Sequence, residues 1–231
     1  MRRITKYLVL GLFIVQTLPL NANYDSYNSE IGSCYHDNAK KILDALKEKY
    51  TSYNDLTIHF TLEVELAERP KTSEKGSIIQ QGELFKVMLK DQDIYCNGED
   101  LWYYLKDKNE VQINDYEGGE DLGIVSPADL LRQYESGEYE YALHNSYSKD
   151  GRSFSEIEFK PNDSFSDYSK LRVSIDTNSW MIKDVLAFGK DGSRFRMILQ
   201  KELYNQNYPI ETFSFDLSNH PNVLVEDLRL D

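Results

Sequence analysis

Between Lys75 and Ile113 the chain reads KGSIIQQGELFKVMLKDQDIYCNGEDLWYYLKDKNEVQI, and no other segment restricts the fold as strongly. Phe85, Val87 and Leu89 alternate with polar or longer side chains, so they share one face of a strand. Asn97-Gly98 supplies a tight hairpin turn. The next run, Leu101 to Leu105, is almost wholly aromatic or aliphatic. Consecutive antiparallel strands with so broad an apolar face need a cover, either from the protein's own core or from an apolar ligand.

The flanking segments carry further apolar faces. Asp37 is a favourable N-cap, and Ala39, Ile42, Leu43, Leu46 and Tyr50 recur at helical spacing, with Lys40, Lys41, Asp44, Lys47 and Glu48 opposite. After Asp55 the period shortens to two. Ile58, Phe60, Leu62, Val64 and Leu66 alternate with Thr57, His59, Thr61, Glu63 and Glu65. Further strands are expected near 77–81, 84–90, 93–96, 101–106 and 110–114, then an acidic loop over 115–125. Ser126 caps a short helix that starts at Pro127 and carries Leu130 and Leu131.

Strands at 139–144 and 154–160 flank Asp150-Gly151, Leu171 and Val173 alternate with Ile175, and strands at 180–189 and 194–202 flank Asp191-Gly192. Phe213 and Phe215 are placed on a last strand. The expected fold is α+β, mainly β: an incomplete, half-open antiparallel barrel with a helical lid or plug over a hydrophobic cavity.

The first residues set an expectation of export. Arg2, Arg3 and Lys6 precede the apolar run from Tyr7 to Leu20, and Ala22 is a small residue where cleavage fits. Residues 1–22 are therefore expected to be a cleaved signal peptide, 23–36 a flexible segment, and 37–231 a single domain. Cys34 follows a polar stretch instead of the apolar run, which argues against acylation there. Cys34 and Cys96 are too few for a disulfide scaffold, and whether they pair is open.

Chemistry is sparse. The formal charge of −13 opposes binding to nucleic-acid phosphates and anionic headgroups. His36, His59, His144 and His220 stand apart, without metal-ligand spacing, and no nucleophile elbow, phosphate loop or dinucleotide fingerprint is present. Glu63 and Glu65 share a solvated strand face, a poor setting for a glycosidase pair. No catalytic residue, metal or cofactor is expected, and the chain is read as a non-enzyme.

Several segments in order carry a family resemblance: the helix AKKILDALKEKY with SYNDLTIHFTLEV, the strand KGSIIQQGELFKVML, the hairpin IYCNGEDLWYYLKDKNEVQI, SPADLL, and the closing FSFDLSNHPNVLVEDLR. Together, from about Ala39 to Arg229, they resemble the periplasmic outer-membrane lipoprotein carrier family, the LolA type. The resemblance implies a periplasmic monomer that receives acylated lipoproteins or lipids from an inner-membrane ABC exporter and passes them to an outer-membrane acceptor. Carried over by position, it implies that Phe85, Val87, Leu89 and Ile94 face the cavity and that Leu131 belongs to the lid. The candidate ligand-contacting set adds Phe60, Leu62, Trp102, Leu130, Leu171, Val173, Phe195 and Phe213, under a lid helix bearing Ile42, Leu43 and Leu46.

Better-known members carry an Arg-Pro pair before the Leu-Phe strand, and its arginine is thought to latch the lid. Gln81-Gly82 stands there instead, so that latch does not transfer. Two other readings of the same scaffold remain open: a lipid- or glycolipid-binding protein, and a sensor domain that binds a protein partner. Each acyl methylene exposed to water costs about 0.8 kcal/mol, on the order of 12 kcal/mol for a ~16-carbon chain, so such cargo needs an apolar carrier.

Overall fold

A computed structural model of the chain describes residues 24–116 and 127–229. The expected signal peptide with its cleavage site near Ala22, the Ser126 cap and most of the acidic loop lie outside the described residues, as does the Cys34 side chain and with it the question of pairing. The chain forms two compact units, residues 1–34 and 35–231. No helix among the described residues is long and apolar enough to cross a membrane.

Helix α1 spans Tyr24–Thr51, so it begins well before Asp37. The segment expected to be flexible is helical from Tyr24 onward, because it contains no proline and each residue added to an existing helix gains one backbone hydrogen bond. Six strands follow as a meander: β1 (Leu56–Glu65), β2 (Thr72–Gln81), β3 (Leu84–Met88), β4 (Gln92–Cys96), β5 (Asp100–Leu105) and β6 (Glu110–Asp115). Helix α2 (Pro127–Ser136) precedes a second meander: β7 (Tyr139–Lys149), β8 (Arg152–Pro161), β9 (Tyr168–Asp176), β10 (Met181–Gly189) and β11 (Arg194–Tyr204). Short 3-10 turns at Ile210–Phe213 and Leu217–Asn219 lead to β12 (Leu224–Asp227).

Turn chemistry fixes these hairpins. Asp150 and Gly151 both adopt positive φ (51° and 75°), as the two-residue turn between β7 and β8 requires. The Asn97 side chain accepts hydrogen bonds from the backbone of Glu99 and Asp100, closing the β4–β5 turn.

The twelve strands form one sheet in the order β12-β6-β5-β4-β3-β2-β1-β11-β10-β9-β8-β7. The first meander joins the second where β1 pairs with β11, across an irregularity at His59/Phe60. The sheet keeps two edges, β12 and β7, and so is a half-barrel that does not close. All neighbours are antiparallel except β12 and β6, which are parallel. Phe213 and Phe215 therefore do not lie on the last strand. Phe213 ends a 3-10 turn behind Pro209, and β12 begins nine residues after Phe215, at Leu224. Their alternation is explained by burial of both rings against the sheet instead of by pairing within it.

Each strand alternates between two faces. On the inner face the register aligns Ile58 with Ile78, Ile78 with Val87, and Val87 with Ile94, and in the other half Ile157 with Val173 and Val173 with Val185. These side chains belong to one continuous apolar cluster together with Ala39, Leu43, Leu46 and Tyr50 of α1 and Leu130 and Leu131 of α2. The outer face is charged over β8–β11, with Glu158 bound by Lys170 and Arg172 and Asp184 by Arg196. Over β4–β6 it is apolar, with a second cluster of Tyr95, Trp102, Val111, Ile113 and Phe215.

Candidate functional site, an apolar sheet face under two helices

The candidate site is the inner face and the helices laid upon it. Phe60 forms its floor near the middle of the sheet, opposite Gly76 on β2. A Cβ at Gly76 would collide with the Phe60 ring and with Leu89, so the glycine is what lets an aromatic ring lie flat across the neighbouring strand. Phe85, Val87 and Ile94 extend the floor toward β4, and Leu171 and Val173 extend it into the second meander. Leu62, Leu89 and Phe195 are half-buried and pack against the same cluster.

The helices cover this floor with apolar stripes dictated by their spacing. Leu43 and Leu46 are fully buried, and Ile42, on the margin of the stripe, is half-buried. Leu130 and Leu131 point from α2 into the same cluster.

How the helices are held differs along their length. At the C-terminal end of α1 the Tyr50 hydroxyl donates to Glu202 at 2.8 Å and accepts from the backbone N–H of Ile182 at 3.3 Å. Burial, then the neighbouring Glu202 carboxylate, raises the Tyr50 phenol well above its ordinary range. Glu202 also accepts from Tyr204, whose phenol is raised by burial and by that same bond. Lys49 donates to the carbonyl of Ser179 at 2.8 Å, and burial lowers its ammonium pKa.

The middle of α1 meets α2 through exposed groups. Tyr134 donates to Asp44 at 2.6 Å, Lys40 bridges to Asp44 at 2.7 Å, and Lys47 pairs with Glu135. Burial, with the bond to Asp44, pushes the Tyr134 phenol up to about 12. The bond from Lys40, then that from Tyr134, holds the Asp44 carboxyl below its ordinary value. On β7 the Tyr141 ring stacks on His36 and meets Tyr134 edge-on.

Most of the residues marked in the sequence converge here. Phe60, Phe85, Val87, Ile94, Leu130, Leu131, Leu171, Val173, Leu43 and Leu46 share the inner cluster. Two do not. Trp102 points to the outer face, where it pairs across the sheet with Tyr95 and Ile113 in the second cluster, because residues adjacent to inner Leu101 and Tyr103 must face the other way. Phe213 is fully buried but belongs to neither cluster.

Sequence reasoning passed over Tyr50's hydroxyl, Ile157, Phe159, Ile182 and Gln80. For Ile157 and Phe159 the alternation in FSEIEFK was a usable signal. For Gln80 only the hairpin register, which sets it opposite Phe85, gives it away. Among the described residues no cluster of His, Cys, Asp and Glu is arranged to hold a metal ion.

Residues 51–216 match the family profile described as outer membrane lipoprotein carrier protein LolA, and the chain belongs to that family. No curated protein matches it. An uncharacterized conserved protein from Thermus thermophilus superposes with a TM-score of 0.54 at 10% identity, covering 82% of this chain and 99% of that one. A DUF1329 family protein from Desulfovibrio piger gives 0.50 at 11% identity, covering 80% and 99%. A LolA-superfamily protein from Nitrosomonas europaea gives 0.42 at 14%, covering 78% and 98%. At such identities the first two likenesses show a shared fold and nothing finer.

Proposed function

We propose that this member of the lipoprotein carrier family is a periplasmic shuttle that holds the acyl chains of lipoproteins against the inner sheet face. It is loaded at an inner-membrane ABC exporter and unloads to an outer-membrane acceptor, with residues 1–22 serving as its export signal. The reading rests on one observation: a single apolar cluster runs from the sheet floor into two helices, and one of those helices is tied to the other by exposed polar contacts. Acyl chains need only displace side chains from side chains, so no covalent step is required and the exchange is reversible.

Phe60, Phe85, Val87, Ile94, Leu171 and Val173 would line the cargo's floor, Leu62, Leu89 and Phe195 its half-open margin, and Leu130, Leu131, Ile42, Leu43 and Leu46 its cover. Trp102 and Phe213 are left out of this set by their positions.

The test is mass spectrometry and a transfer assay on the exported protein purified in its native state. A lipoprotein carrier co-purifies with triacylated protein and releases it to outer-membrane vesicles. Leu89→Glu, at a half-buried position that tolerates a charge, should abolish uptake, whereas Thr61→Glu on the outer face should not. Extractable lipid without protein cargo would favour a lipid or glycolipid carrier. Neither lipid nor lipoprotein, or uptake surviving Leu89→Glu, would overturn the assignment.

A further inference from the structure

A side-chain amide interrupts the apolar inner wall on β2. Gln80, near the end of β2, is only 6% exposed, and its cross-strand neighbours are Leu56 and Phe85, both members of the inner cluster. Its amide nitrogen donates to the carbonyl of Gly82 at 3.3 Å. Its amide oxygen, Oε1, is buried and has no hydrogen-bond partner among the described residues. Exchanging the amide's oxygen and nitrogen would set two oxygens against each other at Gly82, so the acceptor is the atom left over.

A buried acceptor without a donor is unfavourable, and such an atom set between the hydrocarbon of Leu56 and Phe85 is a feature to be accounted for. Leucine or methionine would fill the same place without that penalty. Gln81, which occupies the position of the family's arginine latch, alternates to the opposite face and is half-buried there.

We infer that the Gln80 amide oxygen is a specificity point for the cargo: it accepts a hydrogen bond from an N–H or O–H that lies next to an acyl chain. The inference rests on the carrier reading and deepens it. The shared chemistry is a donor at the head of a long hydrocarbon, as in the amide of an N-acylated amino terminus or the hydroxyl of a partly acylated glycerol. A simple ester offers no donor and leaves Oε1 without a partner. Discrimination of this kind arises because a buried polar group rejects a ligand that fails to pair with it.

The experiment measures displacement of an environment-sensitive dye from the mature full-length protein by palmitamide, cetyl alcohol and methyl palmitate. The first two carry a donor and the third does not. The wild-type protein should prefer at least one donor ligand over the ester by about fivefold, the scale of one hydrogen bond. Preference for palmitamide alone points to an N-acyl amide, and preference for the alcohol alone to a hydroxyl. In Gln80→Met, which keeps the length of the side chain, the preference should vanish while ester binding is kept and the melting temperature rises. Gln80→Leu gives an independent check, and Gln81→Leu should retain the preference. Equal binding of all three by the wild type, as a resident water on Oε1 would produce, overturns the inference and leaves the carrier reading standing. So does a preference that survives Gln80→Met. Binding of none of the three defeats the carrier reading itself.

Discussion

The last turn of α1 and its middle rest on the same sheet face but are held there by different physics. At the last turn the Tyr50 hydroxyl makes two hydrogen bonds in a nearly dry setting, and Lys49 grips the turn after β9. In the middle, Asp44 and Lys47 reach α2 through side chains that stand half in solvent. Exposed pairs contribute little because water competes for them, whereas a buried donor or acceptor stripped of its partner is costly. The polar contacts at the last turn are therefore the stronger, and those between the middle of α1 and α2 the weaker, with Leu43, Leu46, Leu130 and Leu131 buried beneath them. The proposed carrier role calls for that asymmetry, since a cover held equally well everywhere would resist loading, and one held nowhere would expose apolar surface to aggregation.

The comparison can be broken by removing one contact at a time. Tyr50→Ala should have the largest effect, a loss of about 4 kcal/mol in urea unfolding, from the vacated volume and the stranded Glu202 and Ile182 groups. Tyr50→Phe keeps the ring and should cost about 1.5 kcal/mol. Lys47→Ala should cost no more than about 0.5 kcal/mol, yet speed the uptake of acylated cargo in a stopped-flow assay. If Lys47→Ala proves as costly as Tyr50→Phe, the two regions are equivalent and the asymmetry is an error.

Alkaline pH sharpens the same contrast. The Tyr50 phenol has a folded pKa raised above its ordinary value of 10.0, so the folded state holds a proton that the unfolded chain gives up. The stabilisation is complete below pH 10 and declines as pH rises above it. Tyr204 is raised in the same direction. Thermal melts should therefore fall steeply above pH 10 in the wild type, less steeply in Tyr50→Phe, and least in Tyr50→Phe/Tyr204→Phe. An unchanged slope in the single variant would show that Tyr50 is not held as described.

Much of this was readable residue by residue. The Phe85, Val87 and Leu89 alternation placed those side chains on one face, Pro127 opened α2, and Asp150-Gly151 closed its hairpin. The apolar run Leu101 to Leu105 was legible only in part. Leu101 and Tyr103 belong to the inner cluster while Trp102 and Tyr104 pack outward, so the run signals a strand buried on both faces and does not mark a wide inner wall. The outward half is covered by Phe215, which meets Tyr95 edge-on and Tyr104 at a tilt, with His220 stacked upon it. That cover comes from a segment about a hundred residues away in the chain, beyond the reach of any local pattern.

By itself the sequence determined which side chains share a face, where the chain turns, and that two helices carry an apolar stripe, because strand and helix periodicities are local properties of the backbone. Only the tertiary structure decided which of two apolar faces is the inner one, that the chain end returns to pair β12 in parallel with β6, and that Gln80 looks inward while Gln81 looks away. Periodicity assigns neighbours to opposite sides of a sheet. What covers each side is settled by contacts between segments far apart in the chain.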